Sequence, residues 1–169
     1  GKIARKKEFK IEPYKMNTKN TYASPTCAVD SDGVYSLWFS AEKTTLAAFD
    51  YSGNLIWSRD LEGVLTRHGA GSSPIIVDDK VVFTREQEAA VKSKLPNSWL
   101  ALDKKTGKTV WELKRELAKS NSQSTPCIYE QNGKKLLVFT SEAHGFTAVD
   151  PSGGKVVWEF NPFDARAIA

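Results

Sequence analysis

The chain repeats itself three times, at intervals of about fifty residues, and few folds accept such a pattern. The first copy runs from Ser24-Pro25-Thr26 to Trp57, the second from Ser73-Pro74-Ile75 to Trp111, and the third from Thr125-Pro126-Cys127 to Trp158. Pro25, Pro74 and Pro126 are 49 and 52 residues apart, Asp50, Asp103 and Asp150 are 53 and 47 apart, and Trp57, Trp111 and Trp158 are 54 and 47 apart. Several short strands in each period of ~40–50 residues are the mark of propeller blades.

Each copy predicts four strands. Strand one is the apolar run after the proline, as in Ile75-Ile76-Val77, and is expected to be buried on both faces. The pairs Asp32-Gly33, Asp78-Asp79 and Asn132-Gly133 predict tight turns into strand two, at Val34 to Phe39, Val81 to Thr84 and Leu136 to Thr140. Strand three ends at the repeated aspartate and strand four carries the repeated tryptophan. In the turn between them the aspartate is expected to bond amides and the glycine to take a positive φ. The stretch from Glu86 to Lys94 is the one candidate for a short helix inside a loop. The fold class is therefore all-β: a propeller segment of about three four-stranded antiparallel blades, either part of a larger propeller or the protomer of an oligomeric one. Its expected division is 1–23, the last strand of a preceding blade and a connection; 24–60, 61–113 and 114–160, blades one to three; and 161–169, a connection onward.

The spacing Ala-x-Asp-x-x-x-Gly-x-x-x-Trp occurs as Ala101, Asp103, Gly107, Trp111 and as Ala148, Asp150, Gly154, Trp158. Ala48, Asp50, Gly53 and Trp57 repeat it with one residue deleted, and Ser72-Ser73-Pro74 precedes strand one of the second copy. Over about residues 20–160 the chain resembles the tryptophan-docking repeat of PQQ-type, quinoprotein-like β-propellers. It is similar to the secreted PQQ-like repeat proteins of planctomycete-type bacteria and to the outer-membrane assembly lipoprotein of similar fold. The resemblance implies a periplasmic or secreted protein. In physical terms, alanine lets neighbouring layers approach, and each indole offers ~150–250 Å² to bury between blades. Trp57, Trp111 and Trp158 are thus expected in the core, and Trp38 and Trp99 are expected to be ordinary strand aromatics.

Four meandering strands per blade set a parity. Short turns emerge on one face, and the long two–three loops and the connections between blades emerge on the other. Binding groups concentrate on loops carried by a rigid scaffold, so the loop face is where function is expected. Its candidate ligand-binding residues are Arg67, His68, Arg85, Glu142 and His144, with Arg67 and His68 placed beside the channel mouth. Glu142 and His144 are too far in sequence from His68 to form a short-spaced metal motif, so no metal site is expected. Cys27 and Cys127 begin strand one in two different blades, beyond the ~7 Å Cα reach of a disulfide, and are expected to be buried thiols.

Chemical motifs are absent. The sequence has no Gly-x-Ser-x-Gly, no His-Glu-x-x-His and no phosphate-binding glycine loop, so no catalytic residue is assigned. Net charge is only +4, and Glu8 and Glu12 interrupt the basic opening, so a nucleic-acid partner is not expected. No run approaches the ~18 apolar residues of a membrane-spanning helix. A quinoprotein dehydrogenase, the enzyme that the resemblance suggests, is expected to hold its quinone with adjacent disulfide-bonded cysteines, a stacked tryptophan and calcium-binding carboxylates. This chain has no adjacent cysteines and no evident calcium motif, so neither PQQ nor calcium is expected. The favoured reading is a non-catalytic binding or scaffolding module whose partner is a protein or an extracellular ligand. The alternatives are part of a quinoprotein oxidoreductase and an envelope protein-assembly factor. Closed propellers need at least four blades. A fragment of a longer chain, or self-association that closes the ring, is therefore expected.

Overall fold

The computed structural model describes residues 1–3, 6–14, 24–40, 42–63, 66, 71–87, 97–116 and 122–163. Among them are twelve strands and no helix. Sheet one is β1 (Ala28–Asp30), β2 (Gly33–Phe39), β3 (Lys43–Phe49) and β4 (Leu55–Glu62). Sheet two is β5 (Ile75–Val77), β6 (Lys80–Arg85), β7 (Asn97–Asp103) and β8 (Thr109–Arg115). Sheet three is β9 (Cys127–Gln131), β10 (Lys134–Ser141), β11 (Gly145–Asp150) and β12 (Lys155–Phe160). Every sheet pairs its strands in chain order, antiparallel throughout, and no strand joins two sheets. These are three blades of an unclosed β-propeller.

Alternation along the strands builds two apolar layers. Between sheets one and two, Tyr35, Leu37, Phe39 and Leu46 meet Val81, Phe83, Leu100 and Leu102. Between sheets two and three, Val82, Trp99, Ala101 and Trp111 meet Leu137, Phe139 and Val149. The repeated alanine lies directly across from the repeated tryptophan in each sheet, as Ala48–Trp57, Ala101–Trp111 and Ala148–Trp158. The ladder slips by one residue just beyond each pair. Such a bulge turns the strand locally and helps aim the indole out of the sheet toward the next one.

The turn chemistry follows the sequence. Asp50 accepts a bond from Asn54 N–H, Asp103 from Thr106 N–H and Asp150 from Ser152 N–H, each at 2.8 Å. Gly107 and Gly154 have φ of 68° and 70°. Asn132 and Gly133 both take positive φ, which suits a two-residue hairpin turn. The residues flanking the prolines have a role the sequence did not reveal. Thr26 N–H donates to Ser73 Oγ at 2.8 Å, and Ser73 N–H donates to Thr125 Oγ1 at 2.9 Å, so one hydroxyl-to-amide belt ties three blades together.

Three expectations are corrected, and a fourth, the short helix at 86–94, falls mostly outside the described residues. Strand one is not buried on both faces: β5 is half-buried and β9 is exposed along its length, because the described residues place no further layer against it. Cys27 and Cys127 are exposed thiols for the same reason. Glu86 and Gln87 are not helical, and residues 88–94 of the proposed short helix lie outside the described residues. Trp158 is 44% exposed where Trp111 is 7% exposed, since among the described residues no sheet follows sheet three.

Candidate functional site

Two of the five candidate binding residues, Arg67 and His68, lie outside the described residues. The other three do not form one site. Arg85 ends β6 on the side facing sheet one, where its guanidinium donates to Ser98 Oγ at 3.1 Å and to Glu112 Oε1 at 3.4 Å. Glu142 and His144 sit in the three-residue turn between β10 and β11. There His144 N–H donates to Ser141 Oγ at 3.1 Å, and Nδ1 stands 3.6 Å from Glu159 Oε1. Arg85 and Glu86 are adjacent on an extended chain and point to opposite sides of the sheet, so only Glu86 shares the layer that contains His144.

That layer holds a polar cluster that the sequence analysis did not identify. At the loop end of the joint between sheets two and three, Glu86 accepts the Trp99 indole N–H at 2.7 Å and Ser122 N–H at 2.8 Å. The Trp99 ring stacks on Phe139 at 4.0 Å and an interplanar angle of 6°, and the Arg115 guanidinium lies 4.5 Å above its other face. A cation over an indole face is attracted by the ring quadrupole. Arg115 also pairs with Glu159, whose carboxylate accepts Thr147 Oγ1–H at 2.8 Å. Trp99 is therefore no ordinary strand aromatic; it is the plate between two blades. Trp38 also departs from that expectation, with Phe9 stacked on it at 5.1 Å.

A signal for the cluster was present in the repeat. When Ala48–Trp57 is superposed on Ala101–Trp111, blade one carries Phe39, Leu46 and Leu61 where blade two carries Glu86, Trp99 and Arg115. An acid and a base replace apolar residues at one joint and not at the other.

Electrostatics follow from burial. Burial pushes the Glu86 carboxyl above the ordinary glutamate range, although the Trp99 and Ser122 donors and Arg115 oppose it. Burial, and then the Arg115 charge, pushes His144 below the ordinary imidazole range, with Glu159 opposing. The signs differ. A histidine lowered in the folded state supplies stability that is present above 6.5 and is lost as pH falls toward its folded value. A glutamate raised in the folded state supplies stability that is present below 4.5 and is lost as pH rises through its folded value. His144→Gln should therefore flatten the loss of stability as pH falls below about 6.5 while leaving the Glu86 limb in place. Urea midpoints measured across pH for both proteins, taken as a difference curve, check this; identical curves would contradict it.

Chemically, the arrangement joins blades. Each described carboxylate in it is engaged across or along the joint. Cys27 and Cys127 belong to different blades, and among the described residues no three His, Cys, Asp or Glu side chains converge to hold a metal ion. Among the described residues, open clefts are found elsewhere. One of about 850 Å³ opens on the outer flank of sheet one, lined by Phe9, Val34, Trp38, Phe49 and the 50–53 turn. Another of about 500 Å³ lies on the turn face near Asp78, Lys135 and Pro151.

Residues 12–166 match the family described as outer membrane protein assembly factor BamB. No curated protein sequence matches the chain. The structure is similar to BamB from Moraxella catarrhalis, with a TM-score of 0.56 and 17% identity over 86% of this chain and 38% of that one. It is also similar to a europium-containing methanol dehydrogenase, with a TM-score of 0.55 and 17% identity over 88% of this chain and 29% of that one. Identity this low speaks for the fold alone. The chain spans well under half the length of either neighbour.

Proposed function

The chain belongs to the BamB-like family of PQQ-type β-propeller repeat proteins, and on that premise we propose that it is a non-catalytic binding or scaffolding module that acts through its loop face in the periplasm or outside the cell. The observation that carries this reading is the use of the loop-end charges. Glu86 accepts Ser122 N–H and Arg115 pairs with Glu159 across the joint between blades two and three, while His144 stands beside Glu159 within blade three. They are spent on rigidity, and a rigid scaffold is what a set of binding loops requires. Arg67 and His68 remain the proposed ligand contacts at the channel mouth, with Glu142 at the tip of blade three.

The oxidoreductase reading is tested by loading. The protein, incubated with PQQ and calcium and then desalted, should retain neither by absorbance scan and elemental analysis. A stoichiometric quinone band with calcium would replace the module by an enzyme.

One feature favours assembly as the specific role. β9 is an edge strand with all five residues exposed, including Ile128 and Tyr129. An exposed edge offers main-chain donors and acceptors to an extended segment, and alternating side chains supply selectivity. The partner class is then an extended, alternating apolar–polar polypeptide such as an unfolded β-strand. Such a peptide should slow amide exchange in β9, whereas unchanged exchange there would remove this role.

A further inference from the structure

We propose that His144 is an acid-operated latch on the β10–β11 turn: the neutral imidazole sits in the joint between sheets two and three, and on protonation it leaves the joint and the turn opens. His144 N–H donates to Ser141 Oγ at 3.1 Å, and Asn161 Nδ2–H donates to the Ala143 carbonyl at 3.1 Å, so two bonds close the turn at its tip. The imidazole is folded inward, with only 14% of the side chain exposed. Its Nδ1 stands 3.6 Å from Glu159 Oε1, whereas Nε2 is buried and has no protein partner.

A neutral ring tolerates this placement and a charged one does not. With its one proton on Nδ1, facing the carboxylate, neutral histidine leaves a bare acceptor at Nε2. Protonation turns that atom into a buried donor on a charged ring, and an unpaired buried group costs more when it is charged. The carboxylate that could compensate is already engaged, since Glu159 Oε2 receives Arg115 and Thr147 Oγ1–H. Blade one builds the same clasp with a fixed cation. Lys43 N–H donates to Ser40 Oγ at 3.1 Å, Lys43 Nζ pairs with Asp60 at 2.8 Å, and Thr45 Oγ1–H donates to Asp60 at 2.9 Å. In blade three the cation on the carboxylate comes instead from Arg115 of sheet two, and a titratable ring follows the turn serine where blade one has Lys43. Among the described residues the charged groups around that ring are Glu142 in its own turn, Arg115 and Glu116 at the end of β8, and Glu159 on β12, with Glu86 beyond Arg115. Burial resists the added charge and Arg115 repels it, with Glu159 and Glu116 opposing, so the proton is resisted in the closed turn and accepted once the turn opens. The latch lies in a joint inside the chain and does not depend on what the loop face binds.

Magnetic resonance titration of the imidazoles, with His68→Gln to assign the two signals, should place the His144 midpoint below 6.5. Exchange protection of the His144 amide, corrected for the intrinsic rate, should fall as pH drops through that midpoint, while amides of β6 and β7 stay protected. The two readings are linked, because each pH unit by which the midpoint lies below 6.5 is worth about tenfold in opening. In His144→Gln, which keeps a polar side chain but no titratable ring, protection at residue 144 should stay level over the same range. Protection that is flat through the His144 titration, that falls equally in His144→Gln, or that is lost together with β6 and β7 would overturn the proposal, as would a midpoint at or above 6.5.

Discussion

Trp111→Ala is expected to destabilise the protein by about 3–5 kcal/mol, the range for truncating a large aromatic in a core. Trp111 is 7% exposed, packs in the layer between sheets two and three, and gives its indole N–H to Pro151 of the next blade. Removing it leaves a cavity between two layers and an unpaired carbonyl at the bottom of it. The loss is a large share of the ~5–15 kcal/mol that holds a typical domain together. Trp158→Ala carries the same substitution at the repeat-equivalent position, yet its ring is 44% exposed and makes no inter-blade joint within the described chain. Its cost should be below about 1 kcal/mol, as for most surface positions. Urea denaturation of the two variants gives the ordering, and equal losses would show that the tryptophans do not stabilise through the blade joint.

Gly154→Ala should be the second large effect. The φ of 70° at Gly154 costs an L-residue about 1–2 kcal/mol. The new Cβ would also stand 2.7 Å from the Trp111 ring, and overpacking of that kind adds about 1–3 kcal/mol. The chain contains its own control. Gly133 has a φ of 72° and nothing within 4 Å of a Cβ built on it. Gly133→Ala should therefore show the backbone cost alone, and the excess at Gly154 measures the contact with the indole. Thermal or urea unfolding of both variants checks the difference.

The parts of this fold that were legible in the sequence are those set by local chemistry and repeated three times. The Asp-to-Gly turns, the alanine–tryptophan pairing and the Asn132-Gly133 hairpin each depend on a few adjacent residues, and repetition separates them from chance. What escaped depends on residues far apart in the chain. Glu86 meets Ser122, and Arg115 meets Glu159, only because two sheets stack face to face. A list of loop-face charges does not show which side of a strand each one takes, and a sheet separates Arg85 from His144. In strand one, apolar content is no sign of cover. Ile128 and Tyr129 are apolar, but the described residues lay no layer over them.

The central claim is that Trp57 and Trp111 each hold the next blade by lying on its turn glycine. The most direct measurement is a double-mutant cycle between Trp111 and Gly154, using Trp111→Leu to keep an apolar side chain in the layer. If the ring and the glycine touch as described, Gly154→Ala should cost far less in the Trp111→Leu background, falling to the cost of Gly133→Ala. If Gly154→Ala costs the same in both backgrounds, the indole does not rest on that turn, and the joint between blades two and three is held by something else.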